Sequence, residues 1–207
     1  MVKVKICGIT NQDDALAAAD AGADSLGFVF YKGSPRYIDP HEAGKIIRAL
    51  PLFVTPVGVF VNETAEAVEE MTGISGIQLI QLHGDEPPDL CRRSRPVIKA
   101  VKVRSLQSLS PIESFKGLAA AFLLDAYAPD AAGGTGLTFN WDIAGEAKRF
   151  GRIILAGGLT TGNIAEAVRH VRPFGVDVSS GVEKGRGKKD HAKLRLFIQR
   201  AKAAVEE

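Results

Sequence analysis

Residues 2–10 read VKVKICGIT, and this stretch decides the fold. Apolar residues alternate with lysines up to position 6, which is typical of a β-strand, and the strand ends at Cys7, just before a turn. The polar run that follows at 11–14 predicts the start of a helix. Strand, turn and helix in this order place a thiol at the carboxyl end of a first strand, where α/β proteins hold their functional side chains.

The same unit recurs along the whole chain. Short apolar runs predict eight strands, at residues 2–7, 25–30, 55–60, 77–82, 97–101, 121–125, 153–156 and 175–178. Strands that alternate with helices pair in parallel, because each must return through a crossover, and eight such units close into a barrel. We therefore expect an α/β protein, a single-domain (β/α)8 TIM barrel over residues 1–207. An open doubly wound sheet has fewer strands and would leave units unexplained.

Some helix limits are also visible in the sequence. Pro40 after Asp39 predicts one helix start and Asp190 another, whereas Gly73 predicts a helix end. Apolar residues at helical spacing support a helix after each predicted start; they are Ala43, Ile46, Ile47 and Leu50, and Leu194, Phe197, Ile198, Ala201 and Val205. A repeat of about 25 residues is compact for this barrel, so several helices or loops must be short.

Composition and charge exclude several functional classes. The net charge is +2, from 26 basic and 24 acidic residues, which gives no basic excess for nucleic acid. The basic cluster at 184–189 contains two glycines and is interpreted as a solvated loop. No apolar run is long enough to span a membrane and no signal peptide precedes the first strand, so we expect a cytoplasmic protein without membrane contacts. The two cysteines and four histidines are scattered, and we expect no metal.

Two small-residue loops follow the last two predicted strands. Gly157 and Gly158 follow the seventh, and Ser179, Ser180 and Gly181 follow the eighth. Glycines let backbone N–H groups approach an anion, and in such barrels these two loops form the usual phosphate site. The alternative is that the glycines only permit tight turns. Both loops together favour a small phosphorylated ligand.

Two residues at strand ends are candidates for acid–base chemistry. Asp125 ends an apolar strand, where burial would suit its carboxyl to act as a general acid. Cys7 would need a polar or cationic neighbourhood to become a thiolate. Each has a simpler explanation, since a single cysteine is often a small buried apolar residue and a strand-end aspartate often caps a turn.

Further polar residues lie at the same predicted face. Arg36 has the fork geometry that suits a carboxylate or phosphate, and His83 could stack on a ligand or hydrogen-bond to it, although both also fit ordinary turns. Asp177 is a charge inside an apolar strand and must face a ligand hydroxyl or a loop amide. The long irregular segment 126–140 is predicted to be a mobile loop over this face.

Several strand-end motifs together carry a resemblance that covers nearly the whole chain. They are KICGIT at 5–10, GFVF at 27–30 with SPRYI at 34–38, QLHG at 81–84, Leu124-Asp125, AGGL at 156–159 and DVSSGVE at 177–183. In this order they resemble the phosphoribosylanthranilate isomerase family of tryptophan biosynthesis. One small departure is Asn140, where aspartate would be expected; it touches the order of the preceding loop and not an acid–base position.

The resemblance implies an Amadori rearrangement of N-(5-phosphoribosyl)anthranilate to 1-(2-carboxyphenylamino)-1-deoxyribulose 5-phosphate, without cofactor or metal. It implies that Asp125 protonates the ring oxygen and that Cys7 as thiolate removes the proton from C2 of the ribose. Arg36 would pair with the anthranilate carboxylate, His83 would line the anthranilate side, and Asp177 would hold ribose hydroxyls. The two small-residue loops would bind the phosphate.

Other functions remain open at this point. Another phosphosugar isomerase or epimerase would also need the phosphate site, and a Schiff-base lyase could use Lys99 as its nucleophile. A non-catalytic phosphate-binding barrel would use Cys7 as a redox-active thiol. The sequence does not decide between a monomer and a homodimer, because apolar residues such as Phe53 and Phe150 fit a core or an interface.

Overall fold

The fold is a closed barrel of eight parallel strands, as predicted. The computed structural model describes residues 1–92, 95–126 and 140–204. Each strand pairs with its neighbours in chain order and the eighth closes on the first. The barrel strands are β1 (Lys3–Cys7), β2 (Ser25–Val29), β3 (Thr55–Phe60), β4 (Leu79–Leu82), β5 (Val97–Val103), β6 (Ala121–Ala126), β7 (Ile153–Leu155) and β8 (Gly175–Val178).

The crossovers between strands are short, which explains how the barrel closes within 207 residues. The α-helices are α1 (Gln12–Asp20), α2 (Pro40–Arg48), α3 (Ala65–Ser75), α4 (Asp142–Ala147), α5 (Ile164–Val171) and α6 (His191–Ala203). Single 3₁₀ segments take the helix position after β4 and β5, at Pro88–Cys91 and Leu106–Phe115. Two further 3₁₀ turns lie at Lys148–Phe150 and Ser180–Val182.

Side-chain caps fix most of the predicted helix starts. Asp39 and Asp190 each accept hydrogen bonds from the first backbone N–H groups of α2 and α6, which confirms both starts. The predicted stop at Gly73 is wrong, because α3 continues to Ser75. It ends at Gly76, whose φ of +78° is the left-handed conformation that glycine adopts without strain.

The barrel interior and the layer between barrel and helices form separate apolar clusters. The interior cluster contains Ile98, Ala100, Ala121, Leu123, Ile154 and Ala156, and a smaller one at the carboxyl ends contains Cys7, Val29 and Val59. The outer layer packs alternate strand residues such as Val4 and Ile6 against the helices. No helix within the described ranges is long and apolar enough to cross a membrane.

The basic cluster at 184–189 is not the solvated loop that its composition predicts. It forms an antiparallel hairpin of β9 (Glu183–Gly185) and β10 (Lys188–Lys189). Lys188 is exposed, but Lys189 points inward and is 0% exposed. Burial was not visible in the sequence because two acceptors of Lys189, the carbonyls of Cys7 and Ser179, lie at the ends of two barrel strands. Most of the predicted mobile loop, residues 127–139, and Val205 lie outside the described residues.

Candidate active site

A cavity of about 420 Å³ opens at the carboxyl ends of the barrel strands. Its lining includes all ten residues that the sequence analysis selected, namely Cys7, Arg36, His83, Asp125, Gly157, Gly158, Asp177, Ser179, Ser180 and Gly181. They come from six strands or the loops after them, which are distant in sequence. Closure of the barrel brings these candidates to one place, although their roles are not thereby assigned.

The loops after β7 and β8 form one continuous wall of the cavity. Gly157 and Gly158 have φ values of +78° and +65°. A Cβ on Gly157 would collide with the backbone nitrogen of Ala126, and one on Gly181 would collide with the carbonyl oxygen of Leu159. Side chains are therefore sterically excluded at both positions, and the backbone itself faces the cavity.

Some polar groups of the residues that line this wall have no partner within the described residues. The backbone N–H groups of Gly157 and Gly158 donate to no acceptor within the described residues. The hydroxyl of Ser179 is buried and also has no partner there. Because buried polar groups are normally hydrogen-bonded, these groups indicate an anionic or oxygen-rich ligand at this wall.

Asp125 lies at the end of β6 and contacts His83, which follows β4. Nε2 of His83 is 3.2 Å from Oδ2 of Asp125, and Nδ1 is 2.9 Å from the side-chain nitrogen of Gln81. An amide nitrogen can only donate, so Nδ1 accepts and Nε2 carries the proton that faces Asp125. The Asp125 side chain is 32% exposed, so the strongly desolvated carboxyl that its strand predicts is not found.

Cys7 lies inside the barrel mouth and is 8% exposed. Burial raises the pKa of its thiol, whereas the nearby ammonium groups of Lys5 and Lys189 act to lower it. The predicted cationic neighbourhood is therefore present, but the buried thiol still favours its neutral form.

Asp177 has a charged partner that the sequence did not predict. Its carboxylate pairs with Lys5, whose Nζ lies 2.9 Å from Oδ1, and not with a loop amide. Lys5 and Asp177 are directly opposite each other in the pairing of β1 with β8. Opposite charges on two strands that become neighbours in a closed barrel could have predicted this ion pair from the sequence.

Arg36 also has an internal partner. Its Nε and Nη2 each donate to Glu183 at 2.8 Å in a two-point ion pair, which leaves Nη1 toward other acceptors. Hydrogen bonds from Arg36 and the charges of Arg36 and Lys189 overcome the effect of burial and lower the pKa of Glu183. Glu183 therefore fixes the Arg36 side chain at the edge of the cavity.

Lys189 connects this ion pair to Cys7. Its Nζ donates to the backbone carbonyl of Cys7 at 2.6 Å, to that of Ser179 at 3.2 Å and to Glu183 at 2.9 Å. One buried ammonium thus joins the ends of β1 and β8 to the hairpin. Lys189, Glu183, Lys5 and Gln81 were all missed as functional candidates.

Lys99, the nucleophile of the alternative lyase, lies elsewhere. It lies outside the Cys7 cavity, and its ammonium donates to buried Glu86 at 2.7 Å and to the carbonyl of Gly84. Two acceptors hold this side chain outside the Cys7 cavity, which argues against a Schiff base with a ligand there. Within the described ranges, no three His, Cys, Asp or Glu side chains cluster in a way that could hold a metal ion.

Comparisons with known proteins agree with the resemblance of the motifs. Residues 4–200 match the family model for N-(5'phosphoribosyl)anthranilate (PRA) isomerase. A relative from Geobacter metallireducens, named N-(5'-phosphoribosyl)anthranilate isomerase, is 58% identical over 98% of this chain and 100% of its own.

Solved structures of similar proteins superpose closely. A phosphoribosyl anthranilate isomerase from Thermotoga maritima has 45% identity, a TM-score of 0.93 and coverage of 98% of this chain and 100% of its own. A second structure from that organism is described as mutually generated monomers of the dimeric enzyme, with 42% identity, a TM-score of 0.88 and the same coverage. A phosphoribosyl anthranilate isomerase in complex with reduced 1-(o-carboxyphenylamino)-1-deoxyribulose 5-phosphate has 42% identity, a TM-score of 0.89 and the same coverage. The chain belongs to the N-(5'-phosphoribosyl)anthranilate isomerase family.

Proposed function

We propose that this protein catalyses the Amadori rearrangement of N-(5-phosphoribosyl)anthranilate to 1-(2-carboxyphenylamino)-1-deoxyribulose 5-phosphate in tryptophan biosynthesis. The observation that carries the proposal is one cavity that combines a thiol, a carboxyl and two glycine-containing loops, in a member of this isomerase family. The reaction moves protons and electrons within one molecule, so it requires an acid and a base but no cofactor.

Asp125 is the proposed general acid. It donates a proton to the furanose ring oxygen, the bond from that oxygen to C1 breaks, and the nitrogen lone pair forms the C1–N double bond of a protonated Schiff base. Oδ2 accepts from His83, so Oδ1, which faces Gly157, is the oxygen left to carry the proton. His83 then stabilises the carboxylate that remains after proton transfer.

Cys7 is the proposed general base. Its thiolate removes the proton from C2 of the ribose, and the electron pair forms a C1–C2 double bond while the nitrogen becomes neutral. The resulting enolamine gains a proton at C1 and loses one from the C2 hydroxyl, which gives the ketone. Acid and base act at different atoms of one held sugar, and β1 and β6 supply them from separate sides of the barrel.

The remaining lining residues would bind and orient the substrate. The loops at 157–158 and 179–181 suit the phosphate, because they offer backbone N–H groups and the unpartnered hydroxyl of Ser179. Nη1 of Arg36 has no hydrogen bond within the described ranges and suits the anthranilate carboxylate, with His83 on the aromatic side. Asp177 lines the cavity near Cys7, where it would hold ribose hydroxyls.

The decisive experiment follows the fluorescence of phosphoribosylanthranilate during incubation with the purified protein. Cys7→Ser and Asp125→Asn should each lower turnover by about 100-fold or more, because the hydroxyl is a far weaker base and the amide cannot donate the proton. Cys91→Ser, at the other buried cysteine, is the matched control and should keep normal turnover. Near-normal turnover of Cys7→Ser or Asp125→Asn removes that residue from its role. A wild-type protein that leaves the fluorescence unchanged would favour a binding barrel.

The proposed assembly is a homodimer, and the proposed location is the cytoplasm. Leu52 and Phe53 are 89% and 92% exposed, next to a cavity of about 410 Å³ at the amino ends of the strands, and such an apolar surface suits a second copy. Light scattering should give the mass of a dimer for the wild type and of a monomer for Phe53→Asp, with Leu106→Asp as the exposed control. A wild-type monomer contradicts the dimer. Cell fractionation tests the location.

A further inference from the structure

Lys5 is a buried charge next to Cys7 that the proposed reaction does not yet use. The two residues are two positions apart on β1, so their side chains share the barrel interior. Across from them, β2 has Gly27: a Cβ there would lie 2.7 Å from Sγ of Cys7 and 3.0 Å from Nζ of Lys5. The absence of a side chain at Gly27 leaves the space in which the thiol and the ammonium lie side by side.

Asp177 holds the other side of the Lys5 ammonium. The ion pair at 2.9 Å is almost completely buried, with side chains 4% and 9% exposed. Burial acts to lower the pKa of Lys5, but the charges and hydrogen bonds of Asp177 and Cys7 raise it to about 12. Lys5 therefore remains an ammonium at neutral pH and cannot take the proton of Cys7.

The surroundings of Cys7 are otherwise unfavourable for a thiolate. Val29 and Val59 pack against it, and burial is the largest effect on the pKa of the thiol, which is raised. The other charged groups around the sulfur are Lys5 of the same strand, Asp177 of β8, Lys189 of β10 and Arg36 after β2. Among these groups, the charge of Lys5 acts most strongly to lower the pKa of the thiol.

We propose that Lys5 is the positioning residue that makes Cys7 usable as a base, by keeping an ammonium beside its sulfur while Asp177 pairs with the other side of that ammonium. The inference rests on the proposed base role of Cys7 and explains how this buried thiol reaches its active form. The thiol proton leaves to water in the cavity, and the thiolate that remains is neutralised by the ammonium, with no proton transferred from or to Lys5.

The two members of the ion pair must then shift the ionisation of Cys7 in opposite directions. Lys5→Met removes the cation and should raise the midpoint of thiolate formation by about one pH unit or more. Asp177→Asn removes an opposing negative charge and should lower the midpoint. A purely structural role of either residue would not produce opposite signs.

The experiment measures the ultraviolet absorbance of the thiolate against pH in the full-length protein. A Cys91→Ala background leaves Cys7 as the single cysteine, and the same background with Cys7→Ser provides the spectrum to subtract. Lys99→Met is the matched control, since it removes another buried lysine from an ion pair outside this cavity, and it should leave the midpoint unchanged.

The titration decides the role of Lys5 without reference to the reaction. A midpoint in Lys5→Met equal to that of the background, in a protein with native circular dichroism, overturns the inference. If Lys5→Met does not fold, Lys5→Gln decides, because glutamine also removes the charge but keeps a polar side chain, and an unchanged or lowered midpoint overturns the inference. The proposed function is tested separately: a shifted titration with unchanged turnover of Cys7→Ser would retain the role of Lys5 and refute the base role of Cys7. If Lys5 and Cys7 both have their proposed roles, the pH profile of kcat in Lys5→Met should shift to higher pH together with the midpoint of thiolate formation.

Discussion

Replacement of Lys189 by methionine tests whether one buried ammonium holds the mouth of the barrel together. The side chain is 0% exposed, and its Nζ donates to two backbone carbonyls and to Glu183. Methionine keeps most of the aliphatic length, so the substitution removes the charge and the three hydrogen bonds with little loss of packing. The measured change should therefore report the ammonium itself.

The structure sets the size of the effect. Removal of one partner of a buried ion pair costs about 3–5 kcal/mol, because the other charge is left uncompensated. After the substitution, Glu183 still has its two-point contact with Arg36, so its charge is not left without a partner. Burial lowers the pKa of Lys189, which means that the buried ammonium has a desolvation cost in the wild type that the substitution removes. We expect a loss of about 3 kcal/mol. At a urea dependence of about 2 kcal/mol per molar, the midpoint falls by about 1.5 M.

The assay is urea unfolding, followed by circular dichroism and by the fluorescence of Trp141, the single tryptophan. Lys188→Met is the matched control, because Lys188 precedes Lys189 in β10 but is exposed. Its midpoint should stay within about 0.3 M of the wild type. If Lys189→Met unfolds at the same urea concentration as Lys188→Met, the three contacts contribute no net stability and the reasoning is refuted.

Three further outcomes are expected. Gly157→Ala should weaken inhibition by inorganic phosphate and lower the urea midpoint, because its φ is +78° and a Cβ meets backbone; an unchanged inhibition constant would contradict the phosphate role of this loop. Gly73→Ala should raise the free energy of unfolding by about 0.5–1 kcal/mol, since Gly73 lies inside α3 with open space around it, and a lower urea midpoint would argue against this. Burial acts to raise the pKa of Glu86, but hydrogen bonds and the charge of Lys99 lower it. The ionised carboxylate therefore stabilises the fold fully above the ordinary carboxyl pKa of about 4.3, and this stabilisation is lost as the pH falls below that value. Urea midpoints at a series of acidic pH values should fall less steeply in Glu86→Gln, and an equal slope would exclude Glu86 as the titrating group.

Local patterns were sufficient for the elements of the fold. All eight predicted strands are present, and the starts at Asp39 and Asp190 are confirmed, because strand periodicity and side-chain caps depend on residues close in sequence. The predicted helix end at Gly73 is wrong, because the local pattern does not distinguish a glycine inside a helix from one at its end. Glycine is tolerated inside a helix, and only the backbone conformation at Gly76 marks the true end.

Position at strand ends was sufficient to bring the candidate side chains to one cavity, but their partners were not visible. Arg36 was expected to face a ligand and also forms an ion pair with Glu183, 147 positions away. Lys189 was predicted to lie in a solvated loop because its neighbours are basic. It is buried instead, and the groups that accept hydrogen bonds from its ammonium make this burial possible. Such contacts depend on the registration of distant strands and loops, which composition does not encode.

The sequence by itself therefore determined the barrel and the strand end on which each candidate residue lies, because the eightfold alternation admits one closed arrangement and residues at strand ends share one face. Only the tertiary structure decided the charges around Cys7. β1 and β8 become neighbours only when the barrel closes, and this closure places the ammonium of Lys5 between Asp177 and the thiol. Electrostatic interactions depend on distance and burial in three dimensions, so the state of the thiol is a property of the closed barrel and not of the stretch VKVKICGIT.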